Sequence, residues 1–441
     1  HDFLYVDGRG TSQHSEHSGS SLGLNPKARY HMSENSVAGE SMPPGKRLAW
    51  GLAATWAVQV VGTAAVFGVP VLAPVIAPEM GVDPTLVGVY VATAYLVGQV
   101  TGLMSGGFMD RYGALRMSQV SCLFAALGIL MLFPAQIWLA PLAALLMGAC
   151  YGPLNPTSSK ILRGLGADNR QPLIFSVKQT GVPVAGVIVG MSLPALTVMF
   201  GWRWAFGVFA VAAILVALAI QPVRETFDHD RRRDGGRPKI KIWGPLKLVL
   251  GDPALRALSL VGFALAGSQI SLGSFYVLFL IHTLDWSLID AGFFYALVQA
   301  GGIGGRLAWG YVAKQVFSPT AVLIGVSILV CGLFSVTAFI SPAWPSWTIG
   351  ALSLALGLCS YGWNGVWLSE VADIAPRAHI GDATGGAQFI MFGGVTVMPP
   401  IFGVLIDGTG SYMAPFVASG VFVAAVAIYM ALALRAKSAT N

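Results

Sequence analysis

Long apolar runs that are almost free of charge leave this sequence few ways to fold. Only 10% of its 441 residues are charged, against about 25% in ordinary soluble domains, and the mean hydropathy is +0.68. Such a chain cannot supply the polar surface of a soluble domain of this length. In a bilayer every backbone polar group must be satisfied internally, so helices or closed barrels span it. Apolar runs of about 18 residues or more favour helices.

Charged residues, glycine and proline divide the apolar part of the chain into twelve predicted spans. The sequence therefore predicts an all-α, polytopic membrane protein whose twelve transmembrane helices form two pseudo-symmetric six-helix bundles. The predicted spans are 48–76, 85–108, 115–134, 137–161, 172–197, 204–222, 256–282, 289–312, 319–340, 345–368, 383–405 and 413–434.

The distribution of basic residues orients these spans. All of the 26 Lys and Arg residues except Arg203 fall on one side of the predicted membrane, including the helix ends next to it. By the positive-inside rule we expect this side, with both termini, to be cytoplasmic and the protein to lie in the cell inner membrane. The predicted outer loops carry acidic residues instead: Glu79, Asp83, Asp285, Asp290 and Asp407.

Composition also predicts the domain organisation. Residues rich in Ser, Gly and His begin the chain and indicate a disordered cytoplasmic segment. Met32 and Met42 are candidate true starts, in which case the residues upstream are a leader or a cloning remnant; we expect no cleaved signal peptide. The predicted segments are the disordered segment 1–45, a first half at 46–222, a basic cytoplasmic linker at 223–253, a second half at 254–436 and a tail at 437–441.

The two halves show signs of an internal repeat. Three pairs of residues match at a shift of roughly 200 residues: Gly106 with Gly310, Tyr151 with Tyr361, and Gly201 with Gly410. Together they indicate duplicated halves. Parallel halves with a site near the middle of the membrane, at their interface, are typical of transporters.

The loop between the second and third predicted spans carries a recognisable motif. It contains Gly106, then Asp110-Arg111, Gly113 and Arg116. Gly106 allows close helix packing, and Asp110 can cap the positive N-terminus of a neighbouring helix. This loop resembles the signature loop of the major facilitator superfamily.

The resemblance implies a conformational latch that stabilises the outward-facing state. In the second half Gly305-Arg306 and Gly310 fit the motif, but Lys314 stands where the acidic residue is expected, so the resemblance does not extend to a symmetric charge relay. The residues assigned to the latch are Gly106, Asp110, Arg111, Gly113, Arg116 and Arg306.

Charged residues inside the membrane are candidate site residues, because each costs about 2.5–3.5 kcal/mol on insertion scales. No Asp or Glu lies in the middle of any predicted span. Lys178 lies about two turns inside the fifth span. Two interpretations stay open: a group that attracts anions in a cavity, or a side chain that snorkels to the inner interface.

Polar residues on several other spans complete the candidate binding site. Tyr151 and Tyr361 are matched by the repeat, which predicts two phenol groups across the pseudo-twofold axis. For each residue a plain hydrogen bond between helices is the alternative interpretation. The candidate substrate-binding residues are Trp56, Gln59, Tyr151, Asn155, Lys178, Gln179, Gln269, Tyr276, Gln299, Tyr361, Asn364 and Gln388.

The resemblance implies a secondary transporter that works by alternating access. We expect a small organic anion, such as a monocarboxylate, as its substrate; a proton carried on the anion is the coupling mode left open. The alternative is an efflux pump for apolar drugs, suggested by the pattern Gly181, Pro183 and Gly186 in the fifth span. A membrane sensor or receptor is less favoured, because the tails are too short and polar to form a soluble domain.

Other classes of function find no support in the sequence. Phosphate-loop, hydrolase, zinc-protease and CxxC motifs are absent, so we expect no enzyme, cofactor or metal site. The basic residues are confined to loops, which disfavours nucleic acid as a partner. The expected partners are the substrate and the lipid bilayer, and we expect a monomer.

Overall fold

The regular structure of this chain is helical throughout the part described by the computed structural model, which comprises residues 42–163, 165, 171–229, 243–376 and 379–440. The predicted disordered segment lies, up to residue 41, outside the described residues. So does the core of the predicted basic linker, residues 230–242. The predicted tail, 437–441, continues a helix up to residue 440.

The helices follow one another with short connections. In the first part of the chain they are α1 (Pro44–Glu79), α2 (Val87–Tyr112), α3 (Ala114–Leu132), α4 (Ala140–Tyr151), α5 (Leu154–Leu162), α6 (Gln171–Gln179), α7 (Gly181–Phe200), α8 (Trp202–Ala219) and α9 (Arg224–Phe227). In the second part they are α10 (Trp243–Gly251), α11 (Pro253–Leu284), α12 (Leu288–Gln315), α13 (Pro319–Ala338), α14 (Ser346–Ser360), α15 (Asn364–Ile374), α16 (Ile380–Thr409) and α17 (Met413–Thr440). Among the described residues, short 3-10 turns also occur at Pro84–Leu86, Ile137–Leu139 and Gln221–Val223.

These helices account for the predicted spans. Within the described residues, ten helical segments are long and apolar enough to cross a membrane. The remaining two predicted spans, 289–312 and 345–368, fall on α12 and on the pair α14 and α15. We call α1 to α8 the first half and α11 to α17 the second half; the boundaries of these halves as separate domains stay a prediction.

Three spans that were predicted as continuous helices are interrupted. The fourth breaks between α4 and α5, the fifth between α6 and α7, and the tenth between α14 and α15. At the first break Pro153 follows Gly152; proline has no N–H to donate, and its ring clashes with the carbonyl one turn back. Tyr151, Gln179 and Tyr361, three candidate site residues, lie at these breaks.

Small residues bring the halves into backbone contact on one side of the membrane. We call the side of the α1–α2 loop the far side and the side of the α2–α3 turn the linker side. Near the far side, a Cβ added at Gly190 on α7 would lie 2.6 Å from the carbonyl oxygen of Gly292 on α12. A Cβ added at Gly88 on α2 would lie 2.5 Å from the carbonyl oxygen of Pro399 on α16. The halves are therefore packed together at the far side.

A buried aspartate holds the start of α3. Asp228 follows α9 and is 2% exposed. Its Oδ1 accepts a hydrogen bond from the N–H of Leu115 (2.8 Å) and its Oδ2 accepts one from the N–H of Arg116 (3.1 Å). The backbone of Gly113 has a φ of 98° and lies against this carboxylate, where a Cβ would overlap it. Only glycine readily adopts this turn.

In the part of the chain that the structure describes, Asp110 caps no helix N-terminus, contrary to what the sequence suggested. Its carboxylate is exposed and forms an ion pair with Lys160 on α5, at 3.1 Å. The helix N-terminus beside this loop is capped by Asp228, which lies far away in the sequence and could not be recognised from the motif. The latch residues Arg111 and Arg116 flank the same turn, and Arg116 donates to the Gln119 side chain at 2.9 Å.

Replacing Asp228 tests this cap. Asp228→Ala leaves two N–H groups in the first turn of α3 without acceptors, and we expect it to lower the free energy of unfolding by about 1–2 kcal/mol. The readout is the apparent melting temperature of the purified protein in detergent. Asp373→Ala, which removes an exposed carboxylate on α15, is the control. Equal melting temperatures for the two variants would contradict the capping role.

Candidate functional site

A buried ammonium group marks the candidate site. Lys178 lies at the end of α6, and only 1% of its surface is exposed. Its Nζ donates to Gln59 Oε1 at 2.6 Å, to Asn155 Oδ1 at 2.7 Å and to Gln179 Oε1 at 3.2 Å. The side chain therefore does not snorkel to the membrane interface. Of the two interpretations of Lys178, the structure contradicts snorkelling, and the attraction of anions stays a prediction.

No acidic side chain of the described residues forms an ion pair with Lys178. The acceptors around the ammonium are three neutral amide oxygens. Withdrawing an ion from water costs several kcal/mol, and neutral dipoles return less of this free energy than an opposite charge does. The site is consequently electropositive and suited to an anion.

The first helix supplies the wall behind Lys178. Gln59 donates through its Nε2 to Thr63 Oγ1 at 2.9 Å, which orients its Oε1 toward the ammonium. Trp56, one turn earlier, donates through its indole N–H to Thr180 Oγ1 at 3.2 Å. Of the two candidate residues on α1, Gln59 contacts Lys178 and Trp56 contacts Thr180, so this part of α1 packs against the α6–α7 break.

Arg306 adds a second positive charge between the halves. It lies on α12, and its NH1 donates to the backbone oxygen of Gln179 at 2.7 Å, while its Nε lies 3.4 Å from the backbone oxygen of Tyr361. It is close enough to Lys178 for their charges to repel. Arg306 was assigned to the latch from its motif; the structure places it at the helix breaks, where it links the two halves.

The two tyrosines matched by the repeat lie near this guanidinium. Tyr151 and Tyr361 both interact electrostatically with Arg306. The ring of Tyr151 packs edge-to-face on Tyr95, with centroids 5.2 Å apart, and the Tyr361 hydroxyl donates to the backbone oxygen of Gln269 at 3.3 Å. Both phenol groups therefore lie near the same guanidinium. Their predicted placement across the pseudo-twofold axis stays a prediction.

The remaining candidate residues divide into two groups. Gln299 faces the hydroxyls of Tyr295 and Tyr361, and Gln269 carries a buried side-chain oxygen that has no hydrogen-bond partner in the described part of the chain. These two belong to the central region. Tyr276 and Asn364 are not brought to Lys178.

Tyr276 and Asn364 have other surroundings. The Tyr276 hydroxyl is fully buried and bonds to Ser353 Oγ at 2.7 Å, a contact between α11 and α14 inside the second half. This is the helix–helix hydrogen bond that was its alternative interpretation. Asn364 begins α15, beyond the break at Tyr361.

A cavity of about 340 Å³ opens next to Lys178, and we call it the Asn155 cavity. It lies between α2, the α4–α5 break and α16, and so between the halves on the linker side of their far-side contacts. Candidate residues Tyr151, Asn155 and Gln388 line it, as does Phe392, one turn after Gln388. Four further lining residues were missed from the sequence: Tyr95, Gln99, Ser159 and Phe389. Gln99 was recognisable as a polar residue in the middle of the second span.

The centre itself is nearly filled. A space of only about 10 Å³ lies between Tyr95, Tyr295 and Tyr361, room for roughly one water molecule. Close to Lys178, the space for a ligand is therefore the Asn155 cavity, and Asn155 is the residue that joins this cavity to Lys178.

Comparison with known proteins identifies relatives along most of the chain. The model of the Major Facilitator Superfamily matches residues 55–392. A hexuronate transporter of Bacillus subtilis (strain 168) is 22% identical over 383 residues, covering 82% of this chain and 88% of that protein. A probable galactarate/D-glucarate transporter of the same organism is 22% identical over 398 residues, covering 80% and 85%.

A human relative and a solved structure extend the comparison. Monocarboxylate transporter 11 of Homo sapiens is 25% identical over 355 residues, covering 75% of this chain and 70% of that protein. The crystal structure of a nucleoside transporter superposes with a TM-score of 0.72 at 11% identity, covering 88% of this chain and 99% of the other. At this identity the likeness shows the fold.

A double-mutant cycle tests the contact between Gln59 and Lys178. Gln59→Leu deprives the buried ammonium of one acceptor, and we expect a loss of about 1–3 kcal/mol of stability. The same change in a Lys178→Met background should cost clearly less, because no ammonium then needs the acceptor. Apparent melting temperatures of the four proteins measure the difference. Gln136→Leu, at an exposed position, is the matched control; equal costs in both backgrounds would rule the contact out.

Proposed function

The chain belongs to the Major Facilitator Superfamily, and from this premise we propose that it transports organic anions whose carboxylate binds at Lys178. Membership makes the chain a multi-pass membrane transporter rather than an enzyme. The anionic substrate and the residues that bind it are the proposal. One observation carries it: within the described residues, the buried ammonium of Lys178 has neutral acceptors only.

The electrostatics of the site favour a carboxylate. A substrate carboxylate that replaces one amide oxygen on Lys178 exchanges a neutral acceptor for a charged one. Charge-assisted hydrogen bonds are roughly twice as strong as neutral ones, and the effect grows where water is excluded. Lys178 is buried directly behind Asn155, whose side chain is exposed to the cavity. Asn155 is therefore the acceptor that a carboxylate from the cavity would replace.

Arg306 supplies a way for anion binding to affect the contact between halves. Gln179 accepts from Lys178 through its side chain and from Arg306 through its backbone. Lys178 and Gln179 belong to the first half, whereas Arg306 belongs to the second. A carboxylate at Lys178 reduces the repulsion between the two cations, so it strengthens this cross-half link in one state of the transporter.

The relatives support a carboxylate substrate. The names of three relatives state their substrates: hexuronate, galactarate or D-glucarate, and monocarboxylates. These molecules differ in the part that carries the carboxylate. The carboxylate group is what these substrates share. A site built around one buried ammonium matches this shared group.

We further propose that the chain works by alternating access. The halves are in backbone contact near the far side, at Gly190 with Gly292 and at Gly88 with Pro399, whereas the Asn155 cavity lies nearer the linker side. The positive-inside rule assigns the linker side to the cytoplasm. The described conformation is then closed to the outside, and rocking of the halves would expose Lys178 from the other side.

Replacing Lys178 tests the proposal. In proteoliposomes, Lys178→Met should lower the uptake of radiolabelled carboxylates at least about tenfold, because removing one partner of a buried charge pair costs roughly 2–5 kcal/mol. Lys178→Arg keeps the charge and should retain more uptake than the methionine variant. Lys247→Met makes the same change at an exposed site on α10 and should leave uptake unchanged. Wild-type uptake by Lys178→Met would exclude this lysine as the anion site.

A further inference from the structure

The Asn155 cavity has a chemical character of its own, apart from Lys178. Its volume of about 340 Å³ is at the lower end of the roughly 300–1,000 Å³ found for small-molecule pockets. A three-carbon acid bound through its carboxylate at Lys178 would leave most of this space to water. The cavity is large enough to hold the body of a bigger substrate.

The polar groups that the described residues contribute to the cavity are neutral. Three amides (Gln99, Asn155 and Gln388) and the hydroxyl of Ser159 line it, and none of the described lining residues is charged. Gln99 donates through its Nε2 to the backbone oxygen of Phe389 at 2.9 Å, across the interface between the halves. Gln388 has no hydrogen-bond partner in the described part of the chain and lines the cavity half-buried. Its amide is available to a ligand as both donor and acceptor.

Aromatic rings form the rest of the wall. Tyr95 and Tyr151 lie on the side of the first half, and Phe389 and Phe392 on the side of the second half. Aromatic faces combined with a few fixed amides suit a molecule that has flat C–H surfaces and a rim of hydroxyl groups. A simple alkyl chain would leave the amides without partners, and a second carboxylate would find no positive charge on the described lining residues.

We propose that the Asn155 cavity binds the hydroxylated, uncharged body of a monocarboxylate of about six carbons, with Gln388 as a specificity-determining residue. This inference rests on the proposed function, because it takes the carboxylate to be held at Lys178. Asn155 joins the two parts of the site. When the substrate carboxylate replaces the Asn155 oxygen on Lys178, the Asn155 amide is free to bond to a hydroxyl group of the substrate.

The proposal orders three substrates that share a carboxylate. D-glucuronate has one carboxylate and a hydroxylated body; lactate is a small monocarboxylate; D-glucarate has a hydroxylated body and a carboxylate at each end. Wild-type protein should transport D-glucuronate with the highest kcat/KM. We expect kcat/KM for lactate and for D-glucarate to be at least about tenfold lower than for D-glucuronate, because buried polar groups left unpaired oppose binding.

The variant Gln388→Leu separates the cavity from the lysine. In proteoliposomes it should lower kcat/KM for D-glucuronate about tenfold or more and leave that for lactate within about twofold, since only the hydroxylated body reaches this amide. Lys178→Met, in contrast, should lower uptake of both acids. Gln315→Leu, at the exposed end of α12, is the matched control and should change neither. Gln388→Asn keeps the amide and should retain part of the D-glucuronate activity.

The outcomes distinguish this inference from the proposed function. If Gln388→Leu lowers kcat/KM equally for lactate and D-glucuronate, or for neither, the proposed role of the cavity is wrong. The proposed role of Lys178 is not affected by that result. Transport of D-glucarate in preference to D-glucuronate would overturn the proposal that the cavity binds an uncharged body. If the wild-type protein transports none of the three acids, the proposed function fails, and this inference fails with it. Thermal stability and gel filtration of each variant establish that the loss is not one of folding.

Discussion

The ammonium group of Lys178 lies among three amide oxygens inside the membrane and has no carboxylate partner in the described part of the chain. A buried cation requires acceptors, and here they come from α1, α5 and α6. Gln59, Asn155 and Gln179 are therefore held in place by one charge. Its burial is costly in free energy, and a site that persists at such a cost is suited to binding a group of opposite charge.

The architecture around Lys178 depends on three membrane-spanning segments whose helices are interrupted. Breaks after Tyr151, Gln179 and Ser360 release backbone and side-chain groups from regular helix at the depth of Lys178. Interrupted helices near the membrane centre are a recurrent way for transporters to build a binding site. Arg306 bonds to two of these breaks, because its guanidinium donates to the backbone oxygens of Gln179 and Tyr361. The charged centre and the contact between halves thus share residues.

Much of the fold could be predicted from the sequence, because the bilayer admits few arrangements of an apolar chain. The candidate binding site was harder to predict from the sequence. The depth of Lys178 followed from the sequence, but its direction depends on Gln59 and Asn155, which come from other helices. Arg306 was assigned to a latch because its neighbours match a motif; the break that receives its guanidinium was not visible. Asp228 caps α3 from over a hundred residues away in the chain, and local patterns do not report such contacts.

The most direct test of the central claim is an experimental structure of the protein with a bound substrate carboxylate, at a resolution that shows individual side-chain contacts. The account predicts a carboxylate oxygen within hydrogen-bond distance of Lys178 Nζ, with the Asn155 amide turned away from the ammonium toward the body of the ligand. A carboxylate bound elsewhere, with Lys178 still holding all three of its amide partners, would contradict it.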